Sequence, residues 1–600
     1  MYASKRSSSF TRRPRSRSRS RWPTLVLLVF VGLVVVYRWP STFFPSPRSS
    51  RFAAHQTSCP KKPPYPPIEP SPDVGFNWRS IATQHPVKTL AQLPKAWGKK
   101  ELPRVQYAFE KEPEDLYAEL MRGRRQAAVK AAFVRCWESY KERAWMQDEL
   151  EPISGGSKTT FGGWGATLVD SLDTLWIMDL KSEFEEAVDA VTQIDFRPDG
   201  GELNMFETTI RYLGGLLAAY DLTDCKDGRL LEKALELGDM VYASFDTANR
   251  MPITRWSSEK ASNGDPQYAA SNGIIAEMAS FSLEFTRLSQ ITGDMRYYDA
   301  VKRVADVLEA QQMETNLPGL WPVGINVAAP NLTESDHFSL GAMADSAYEY
   351  LPKTYQLLHG VGHDAAQYKT MFERAASAIT QHLLFRPSTP DDADILIPTV
   401  VRARSPSTSF QDHTAQHLAC FVGGMFALGG KLFSNATHVS LGRRLTDGCT
   451  WAYANAPNAI MPEIFTMSAC PSLESPCPYR EDEHSYQHPG FISVSDARYN
   501  LRPEAIESVF YLYRITGDSS YQDTAWDMFQ AIDSLTRTEY GNAVLRDVMF
   551  GDGSEKEDRM ETFWLGETLK YFWLVFSGPS VVSLDEWVLN TEAHPLRVRA

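Results

Sequence analysis

Residues 501–521 read Leu501-Arg-Pro-Glu-Ala-Ile-Glu-Ser-Val-Phe-Tyr-Leu-Tyr-Arg-Ile-Thr-Gly-Asp-Ser-Ser-Tyr521. Pro503 suits the first turn of a helix, because its missing N–H needs no partner there, and Gly517 supplies the stop. The apolar residues between them recur at the helical period. Asp518 is placed to cap a second helix. The stretch therefore predicts one helix that turns directly into another.

The same junction recurs along the chain. Thr292-Gly-Asp-Met-Arg-Tyr297 matches Thr516-Gly-Asp-Ser-Ser-Tyr521, and Gly362-His-Asp-Ala-Ala-Gln-Tyr368 is a looser copy. Long strand-like alternation is scarce, and helical patterns predict helices at about 114–145, 166–180, 205–221, 229–245, 270–291, 295–312, 339–358, 365–385, 413–429, 438–456, 503–516, 519–537 and 559–577. Repeated helix–turn–helix units indicate α/α hairpins wound into a solenoid or a closed toroid. Repetition alone does not choose between them.

Composition limits the partners of the main body. The 600 residues are 43% hydrophobic, which is enough to bury a large core in one big domain or a few smaller ones. The formal net charge is -13, and no Asp or Glu occurs before Glu69, so the rest of the chain is more acidic than the total suggests. This argues against nucleic acid or anionic lipid as its partner. The 12% aromatic content suits stacking on sugar faces.

The N-terminus has the pattern of a membrane anchor. Residues 1–21 are rich in Arg and Ser, and the segment 22–38 is mostly apolar and flanked by Trp22, Tyr37 and Trp39. It is short for the roughly 20 residues that span a bilayer, but usable with its aromatic flanks. The positive-inside rule puts the basic tail in the cytosol. A cleaved signal peptide is disfavoured because no clear small-x-small site follows. We expect a single-pass type II signal anchor in the ER or Golgi membrane.

A stem and a large domain follow the predicted anchor. Residues 39–104 are rich in Pro and Ser and lack helical period, which predicts an extended, largely unpacked lumenal stem. Residues 105–600 form the predicted helical domain. Asn331 and Asn435 begin glycosylation sequons, which is consistent with a lumenal location.

Seven cysteines in a lumenal chain make disulfides plausible. Cys470 and Cys477 are near enough in sequence to pair locally. Cys420 and Cys449 lie on consecutive predicted helices and could staple that hairpin. No CxxC or His-Cys spacing indicates zinc.

Several acidic residues are candidates for chemistry. Glu504 and Glu507 share one face of a first helical turn, where the helix dipole favours ionised carboxylates. Glu207 and Arg211 pair at i,i+4 in a heavily apolar helix, and Asp345 lies in a small-residue stretch. Helix capping and ordinary salt bridges would also explain these acids.

Other residues point the same way. Glu463 follows a Pro as a possible turn acid, and Phe563 and Glu567 are four apart. No Ser-His or Cys-His signature accompanies them. Acids on separate helices, together with aromatics, indicate carboxylate chemistry. Hydrolysis of a glycosidic bond needs one carboxyl to protonate the leaving oxygen and another to activate water or attack.

At these residues the chain resembles the class I α-1,2-mannosidases, the inverting, calcium-dependent enzymes that trim N-glycans in the secretory pathway, and in particular their fungal-type, membrane-anchored members. The matching stretches occur in family order over roughly residues 105–600. They are Gly162–Leu175, Phe206–Gly215, Asp345–Leu351, His417–Phe421, Leu501–Asp518, Met560–Tyr571 and Asn590–Pro595.

The resemblance implies an all-α fold, an α/α toroid of seven helical hairpins with the active site at its base. It implies Glu504 as the general base, Glu207 as the general acid acting through water, and Asp345 as a third essential carboxylate. Arg211 beside Glu207 favours the anion and opposes a stored proton. A water relay that involves Asp345 would relieve this conflict.

The family also implies a calcium site and a sugar pocket. Thr591 would bind Ca²⁺ through its hydroxyl and backbone oxygen, with waters held by Glu463, Glu507 and Glu567. Hard oxygen ligands suit this ion. Phe563 would stack on the sugar. The remaining pocket residues would be Arg211, Glu277, His417 and Arg502, and Cys420 and Cys449 match the family's disulfide.

The sequence differs from some family members at one position that affects substrate specificity. Members that remove chiefly a single mannose carry Arg at the position of Met343. Loss of that guanidinium removes branch-reading hydrogen bonds, so we expect broader trimming, from nine mannoses to eight and on to five. High-mannose N-glycans on glycoproteins are the expected substrates of an expected monomer. The alternative from another class is a mannose-binding quality-control lectin on the same fold, with little hydrolysis. The retained carboxylates disfavour it.

Overall fold

The computed structural model describes residues 76–94, 102–112, 114–479, 488–550 and 554–598. The predicted cytosolic tail, the predicted anchor and much of the predicted stem lie outside these residues. Among the helices of the described ranges, none combines the length and the apolar character needed to cross a membrane.

The described residues form eighteen α-helices, numbered here in chain order. They are α1 (Leu116–Arg143), α2 (Ala166–Asp170), α3 (Leu172–Ile177), α4 (Lys181–Val191), α5 (Met205–Glu207), α6 (Gly214–Leu222), α7 (Gly228–Ala243), α8 (Ser258–Ser262), α9 (Ile275–Ala279), α10 (Ser282–Thr292), α11 (Met295–Gln311), α12 (Asp345–Leu357), α13 (Gly362–His382), α14 (Val422–Leu432), α15 (Ala436–Asn455), α16 (Glu504–Thr516), α17 (Ser520–Thr536) and α18 (Leu569–Val575). Shorter turns are the 3₁₀ segments Trp78–Ser80, Phe109–Lys111 and His417–Phe421 and the π segments Thr208–Leu213 and Trp564–Thr568.

The strands are short and pair antiparallel. They are β1 (Glu149–Leu150), β2 (Ser157–Lys158), β3 (Glu202–Asn204), β4 (Arg255–Ser257), β5 (Gly273–Ile274), β6 (Gly324–Ile325), β7 (His337–Phe338), β8 (Leu384–Phe385), β9 (Ile397–Pro398), β10 (Val401–Ala403), β11 (Ser409–Gln411), β12 (Thr414–Gln416), β13 (Ile464–Thr466), β14 (Ser493–Asp496), β15 (Val544–Leu545), β16 (Lys556–Glu557), β17 (Trp587–Leu589) and β18 (Pro595–Arg597). In the described ranges every sheet has two or three strands, and the helices form the main body of the fold.

Seven of these helices form a closed inner ring. They pack in the order α3, α6, α10, α12, α14, α16 and α18, and the π segment Trp564–Thr568 before α18 returns to α3. Each inner helix also packs against an outer helix, in the same order α4, α7, α11, α13, α15, α17 and α1. The predicted α/α barrel of seven hairpins is therefore confirmed. It is a toroid because the first helix, α1, completes the seventh hairpin with the last, α18.

The Gly-Asp junctions behave largely as predicted. Gly293 and Gly517 end α10 and α16 in the left-handed region, with φ of 75° and 74°. Asp294 caps α11 by accepting from the Arg296 N–H. Asp518 likewise accepts from the Ser520 N–H, although α17 begins only at that residue.

The two ends of the ring differ. Connections from an inner helix to its outer partner are short turns, such as Gly517–Ser519, whereas connections from an outer helix to the next inner helix are long and contain β1 to β16. One end of the ring therefore carries the hairpins together with the N-terminal ends of the inner helices.

The β17–β18 hairpin fills the ring from the end with the short turns. Near its base, the Arg597 N–H donates to Asp221 at the end of α6 (2.8 Å). At its tip, the buried Asn590 side chain donates to the Ile210 carbonyl (2.9 Å) and to Glu284 Oε1 (2.8 Å), and its Oδ1 accepts from the Glu592 N–H (2.9 Å) and the His594 N–H (2.9 Å). These four bonds satisfy the amide fully. The turn is thereby fixed against two inner walls.

Buried charged side chains bind the tip of the β17–β18 hairpin to two further inner helices. Lys570 Nζ lies 2.8 Å from Asp173 Oδ2 and donates to the Ala593 carbonyl at 2.9 Å, and His594 Nδ1 also lies 2.8 Å from Asp173 Oδ2. Lys570, Asp173 and His594 are fully buried. The turn Asn590–His594 is therefore bound to α3 and α18 as well.

Residues 76–94 of the predicted stem pack on the barrel instead of running free. Trp78 is buried and donates its indole N–H to the Phe196 carbonyl at 2.7 Å. The N–H groups of Gln84 and His85 donate to the Asp246 carboxylate at 2.6 and 2.8 Å. This corrects the prediction for these residues. Residues 76–94 contain only one Ser and two Pro, and Trp78 gives this segment a large aromatic side chain to bury.

Both suggested disulfides are present. Cys420 is bonded to Cys449, which staples α15 to the segment before α14, and Cys470 is bonded to Cys477 within one loop. Cys225 is also disulfide-bonded, whereas Cys136 is buried and free.

A matched pair of glycine substitutions tests how tightly the hairpin tip fits. In Gly214→Ala the new Cβ would lie 2.5 Å from Asn590 Nδ2 and 2.9 Å from His594 Cδ2. We expect a loss of about 1–3 kcal/mol in the free energy of unfolding, measured by urea denaturation. Gly123→Ala, on α1 with nothing within 4 Å, should instead gain about 0.5–1 kcal/mol. Equal changes in the free energy of unfolding for both variants would contradict close packing of the hairpin tip against α6.

Candidate active site

A cavity of about 280 Å³ lies where the inner helices begin. Its walls come from the N-terminal ends of helices, from the π segments and from the tip of the β17–β18 hairpin. The structure brings most of the predicted site residues together here. Those that line the cavity are Glu207, Arg211, Glu277, Met343, Asp345, Arg502, Glu504, Glu507, Phe563, Glu567 and Thr591.

Two predicted pocket residues, His417 and Glu463, lie behind the wall and contact residues that line it. His417 is fully buried, and its Nδ1 lies 3.1 Å from Glu504 Oε2. Glu463 accepts from Arg502 Nε at 2.6 Å. Both therefore support cavity residues from behind.

Glu504 is held as an anion. It is the first residue of α16, and burial by itself opposes its charge. The hydrogen bond from His417 and the charge of Arg502 outweigh that cost and hold the pKa of Glu504 below its usual range. His417 is in turn fixed by Tyr453, whose hydroxyl lies 2.7 Å from Nε2.

Asp345 has the opposite environment. It is the first residue of α12, and its Oδ1 accepts from the Ser346 N–H at 2.9 Å. Burial, together with the negative charges of Glu349 and Glu504, raises the pKa of Asp345 to about 7. Two carboxyls in one cavity therefore prefer different protonation states.

Arg211 connects the wall to the hairpin tip. Its Nε lies 2.9 Å from Glu207 Oε2, and its Nη1 lies 2.7 Å from Glu592 Oε2 and donates to Thr562 Oγ1 at 3.0 Å. Arg211 is on a π segment, as is Glu567, which also lines the cavity. Such bulges are frequent at functional sites, because they change the direction in which a helix presents its side chains.

Left-handed backbone occurs at two non-glycine residues of the site. Met343 has φ of 74° and Leu501 has φ of 64°, just before Asp345 and Arg502 respectively. Each is held by a hydrogen bond to its carbonyl, from the Ala276 N–H (3.1 Å) and from the Thr568 hydroxyl (2.7 Å). Such strain is tolerated where the surroundings fix the conformation, and it clusters at functional sites.

The cavity is rich in carboxyl groups. Eight carboxyls but only three guanidiniums are among its lining residues. Burial raises the pKa of Glu507 and of Glu592 to about 8 and that of Glu567 well above its usual value. Lys353, buried behind Glu349, offsets part of the charge and lies 3.3 Å from Glu507.

This donor set fits the predicted calcium ion. Thr591 stands among carboxylates that would gain from a positive charge, and all the available donors are hard oxygens. No group of three or more His, Cys, Asp or Glu side chains in the described residues could hold a metal ion. The predicted site, with one Thr and waters, does not require such a group.

Three charged residues of the cavity were not predicted from the sequence. Glu349 lies one turn after Asp345, and Glu592 directly follows Thr591, so helical spacing and the motif itself carried a signal for both. Arg255 carried none. It reaches the cavity because β4 pairs with β3, and its Nη2 lies 2.6 Å from Glu277 Oε1.

Comparison with known proteins decides the family. Residues 132–598 match Glycosyl hydrolase family 47. The chain belongs to this family. The resemblance drawn from the motifs and the prediction of a glycoside hydrolase are thereby confirmed.

Relatives agree over most of the barrel. A mannosyl-oligosaccharide 1,2-alpha-mannosidase of Arabidopsis thaliana is 36% identical over 484 residues, 79% of this chain and 79% of the relative. An endoplasmic reticulum mannosyl-oligosaccharide 1,2-alpha-mannosidase of Homo sapiens is 36% identical over 477 residues, 79% of this chain and 64% of the relative. The solved structure of an alpha-1,2-mannosidase from Trichoderma reesei aligns with a TM-score of 0.71 at 31% identity, covering 80% of this chain and 99% of that one.

Proposed function

We propose that this family 47 member hydrolyses terminal α-1,2-linked mannose from high-mannose N-glycans with inversion at the anomeric carbon. The observation that carries the proposal is the contrast between Glu504, whose pKa is lowered, and Asp345, whose pKa is raised to about 7. Carboxyls whose environments push their pKa values apart are suited to separate base and acid roles. The names of the relatives support the substrate class.

In the proposed reaction Glu504 is the general base. Its carboxylate takes a proton from a water molecule, and that water attacks the anomeric carbon on the face opposite the glycosidic oxygen. The bond to the leaving oxygen breaks as that oxygen receives a proton from the acid. His417 and Arg502 keep Glu504 ionised and oriented for this step.

The acid role belongs to Glu207 with Asp345 as its proton store. Glu207 Oε2 lies 2.9 Å from Arg211 Nε and is engaged in that ion pair, so we assign storage of the proton to a second carboxyl. Asp345, with its pKa near 7, is protonated in part of the molecules at neutral pH. A water relay between the two carboxyls would deliver that proton to the leaving oxygen.

Calcium would be bound by the hydroxyl and backbone oxygen of Thr591, with waters held by Glu507 and Glu567. When bound, the ion would supply positive charge to orient sugar hydroxyls and to favour a distorted ring. Phe563, mostly buried at the cavity wall, offers a face on which that ring stacks.

The proposed setting is the lumen of the ER or Golgi, with the chain acting as a monomer on glycoproteins. The human relative named for the endoplasmic reticulum and the sequons at Asn331 and Asn435 support a secretory location. The predicted type II anchor at 22–38 remains part of this proposal.

Replacing the proposed base tests the mechanism. Glu504→Gln keeps the shape but cannot take a proton, so we expect mannose release from a nine-mannose glycan to fall about 10²–10⁴-fold. Glu555→Gln, at an exposed ion pair, is the control and should retain full activity. Near-normal turnover by the folded Glu504 variant would rule out the base role. If the native chain bound the glycan without releasing mannose, the lectin alternative would be favoured.

Metal removal tests the calcium site. We expect EDTA to abolish mannose release and to lower the thermal unfolding midpoint, because the carboxylate cluster then lacks its counter-charge. Added Ca²⁺ should restore both properties. Thr591→Val should blunt the Ca²⁺-dependent shift of the midpoint even without substrate. If EDTA changed neither the activity nor the thermal unfolding midpoint, the calcium site would be contradicted.

The absence of a guanidinium at Met343 predicts the extent of trimming. Met343 lies at the cavity with 55% of its surface exposed, and its thioether offers no hydrogen-bond donor to a branch. Exhaustive digestion of the nine-mannose glycan, followed by mass spectrometry, should therefore yield the five-mannose product. Persistence of one eight-mannose isomer would show that branch selection is strict.

A further inference from the structure

Arg255 stands at the cavity with most of its donors available. We infer that Arg255 is a specificity-determining residue that binds hydroxyls of the glycan beyond the two sugars joined by the cleaved bond. This inference rests on the proposed function, and it assigns a role to a residue that no motif contains.

The backbone fixes Arg255 beside the catalytic wall. On β4 it is the Cα partner of Asn204, the last residue of β3. Asn204 caps α5 by accepting from the N–H groups of Phe206 and Glu207, at 3.1 and 3.3 Å. Arg255, Asn204 and Glu207 all line the cavity. The position of Arg255 is therefore tied to that of the proposed acid.

The three cavity guanidiniums differ in their exposure and in the number of ion pairs that they already make. The Arg211 side chain is 8% exposed and contacts Glu207, Glu592 and Asp170. Arg502 is 20% exposed and is paired with Glu463. Arg255 is 46% exposed, and its one ion pair among the described residues is with Glu277. A guanidinium has five N–H donors, so Arg255 keeps several for a ligand.

Exposure also places Arg255 toward the mouth of the cavity. The proposed chemistry uses Glu504 and Asp345 at the helix ends, where the terminal mannose must lie, and the remainder of an N-glycan must leave through the open side. A planar guanidinium there can donate to two neighbouring hydroxyls of one sugar. Glu277 sets its direction by holding Nη2 at 2.6 Å.

A simpler role would be to neutralise Glu277. Lys in place of Arg separates the two roles, because an ammonium keeps the positive charge beside Glu277 but lacks the fork of donors. The control is Arg402→Lys, since Arg402 is a strand residue, 61% exposed, whose ion pair is with Asp336 at 3.2 Å and which does not line the cavity.

The experiment compares the full-length native chain, Arg255→Lys and Arg402→Lys on two substrates, a nine-mannose glycan and α-1,2-mannobiose. We expect Arg255→Lys to lower kcat/KM on the glycan about tenfold and on mannobiose less than about twofold, as the loss of one charged hydrogen bond to the outer sugars implies. The ratio of eight-mannose isomers formed first should also change. Arg402→Lys should match the native chain in all three measurements.

Binding to a Glu504→Gln background keeps the inference separate from the hydrolytic proposal. Calorimetry should show that adding Arg255→Lys weakens binding of the nine-mannose glycan but not of mannobiose. Equal loss for both saccharides, or loss for neither, would overturn the specificity role. Absence of mannose release by the native chain would instead refute the proposed hydrolysis, while the binding measurement would still decide the role of Arg255.

Discussion

The site depends on the buried ionic contacts that hold the turn Asn590–His594 inside the ring. Lys570 and His594 both contact the Asp173 carboxylate, with no access to solvent. Burying such charges is costly, and apolar side chains often pack as well, so a buried ion pair is weak evidence for stability. Together with the four bonds of Asn590, these contacts fix one conformation of the tip. Without them the side chains of Thr591 and Glu592 would have no defined place at the cavity base.

Electrostatics then distinguishes carboxyls that are chemically alike. Burial opposes the charge of Glu504 and Asp345 alike. At Glu504 the hydrogen bond from His417 and the charge of Arg502 outweigh burial, whereas at Asp345 the charges of Glu349 and Glu504 add to it and Arg502 does not outweigh them. The same backbone feature, the start of an inner helix, therefore produces an anion at one wall and a protonatable group at another. What separates them is the neighbour supplied by other elements of the ring.

The sequence predicted the features that depend on residues close together in the chain, namely the helices and the turns between them. The helical period and the Gly-Asp junctions placed α16 and α17 to within a residue or two, because turn chemistry acts over a few positions. Motifs placed Glu504 and Asp345 at one cavity. Ring closure, the packing of Trp78 and the position of Arg255 depend on contacts between residues far apart in the chain, for which periodicity carries no signal. For the same reason His417 and Glu463 were expected on the wall and lie behind it.

The seventh hairpin, made of α1 and α18, has a consequence for the order of synthesis. A ribosome produces α1 near the start of the domain and α18 near its end, and the β17–β18 hairpin emerges later still. The intervening six hairpins can assemble as they appear, but their last exposed edge has no cover until α18 has been synthesised. A chain that stops early lacks one wall of the ring and its plug, so an open, apolar surface marks an unfinished molecule. The cavity can therefore form only after the β17–β18 hairpin has been synthesised.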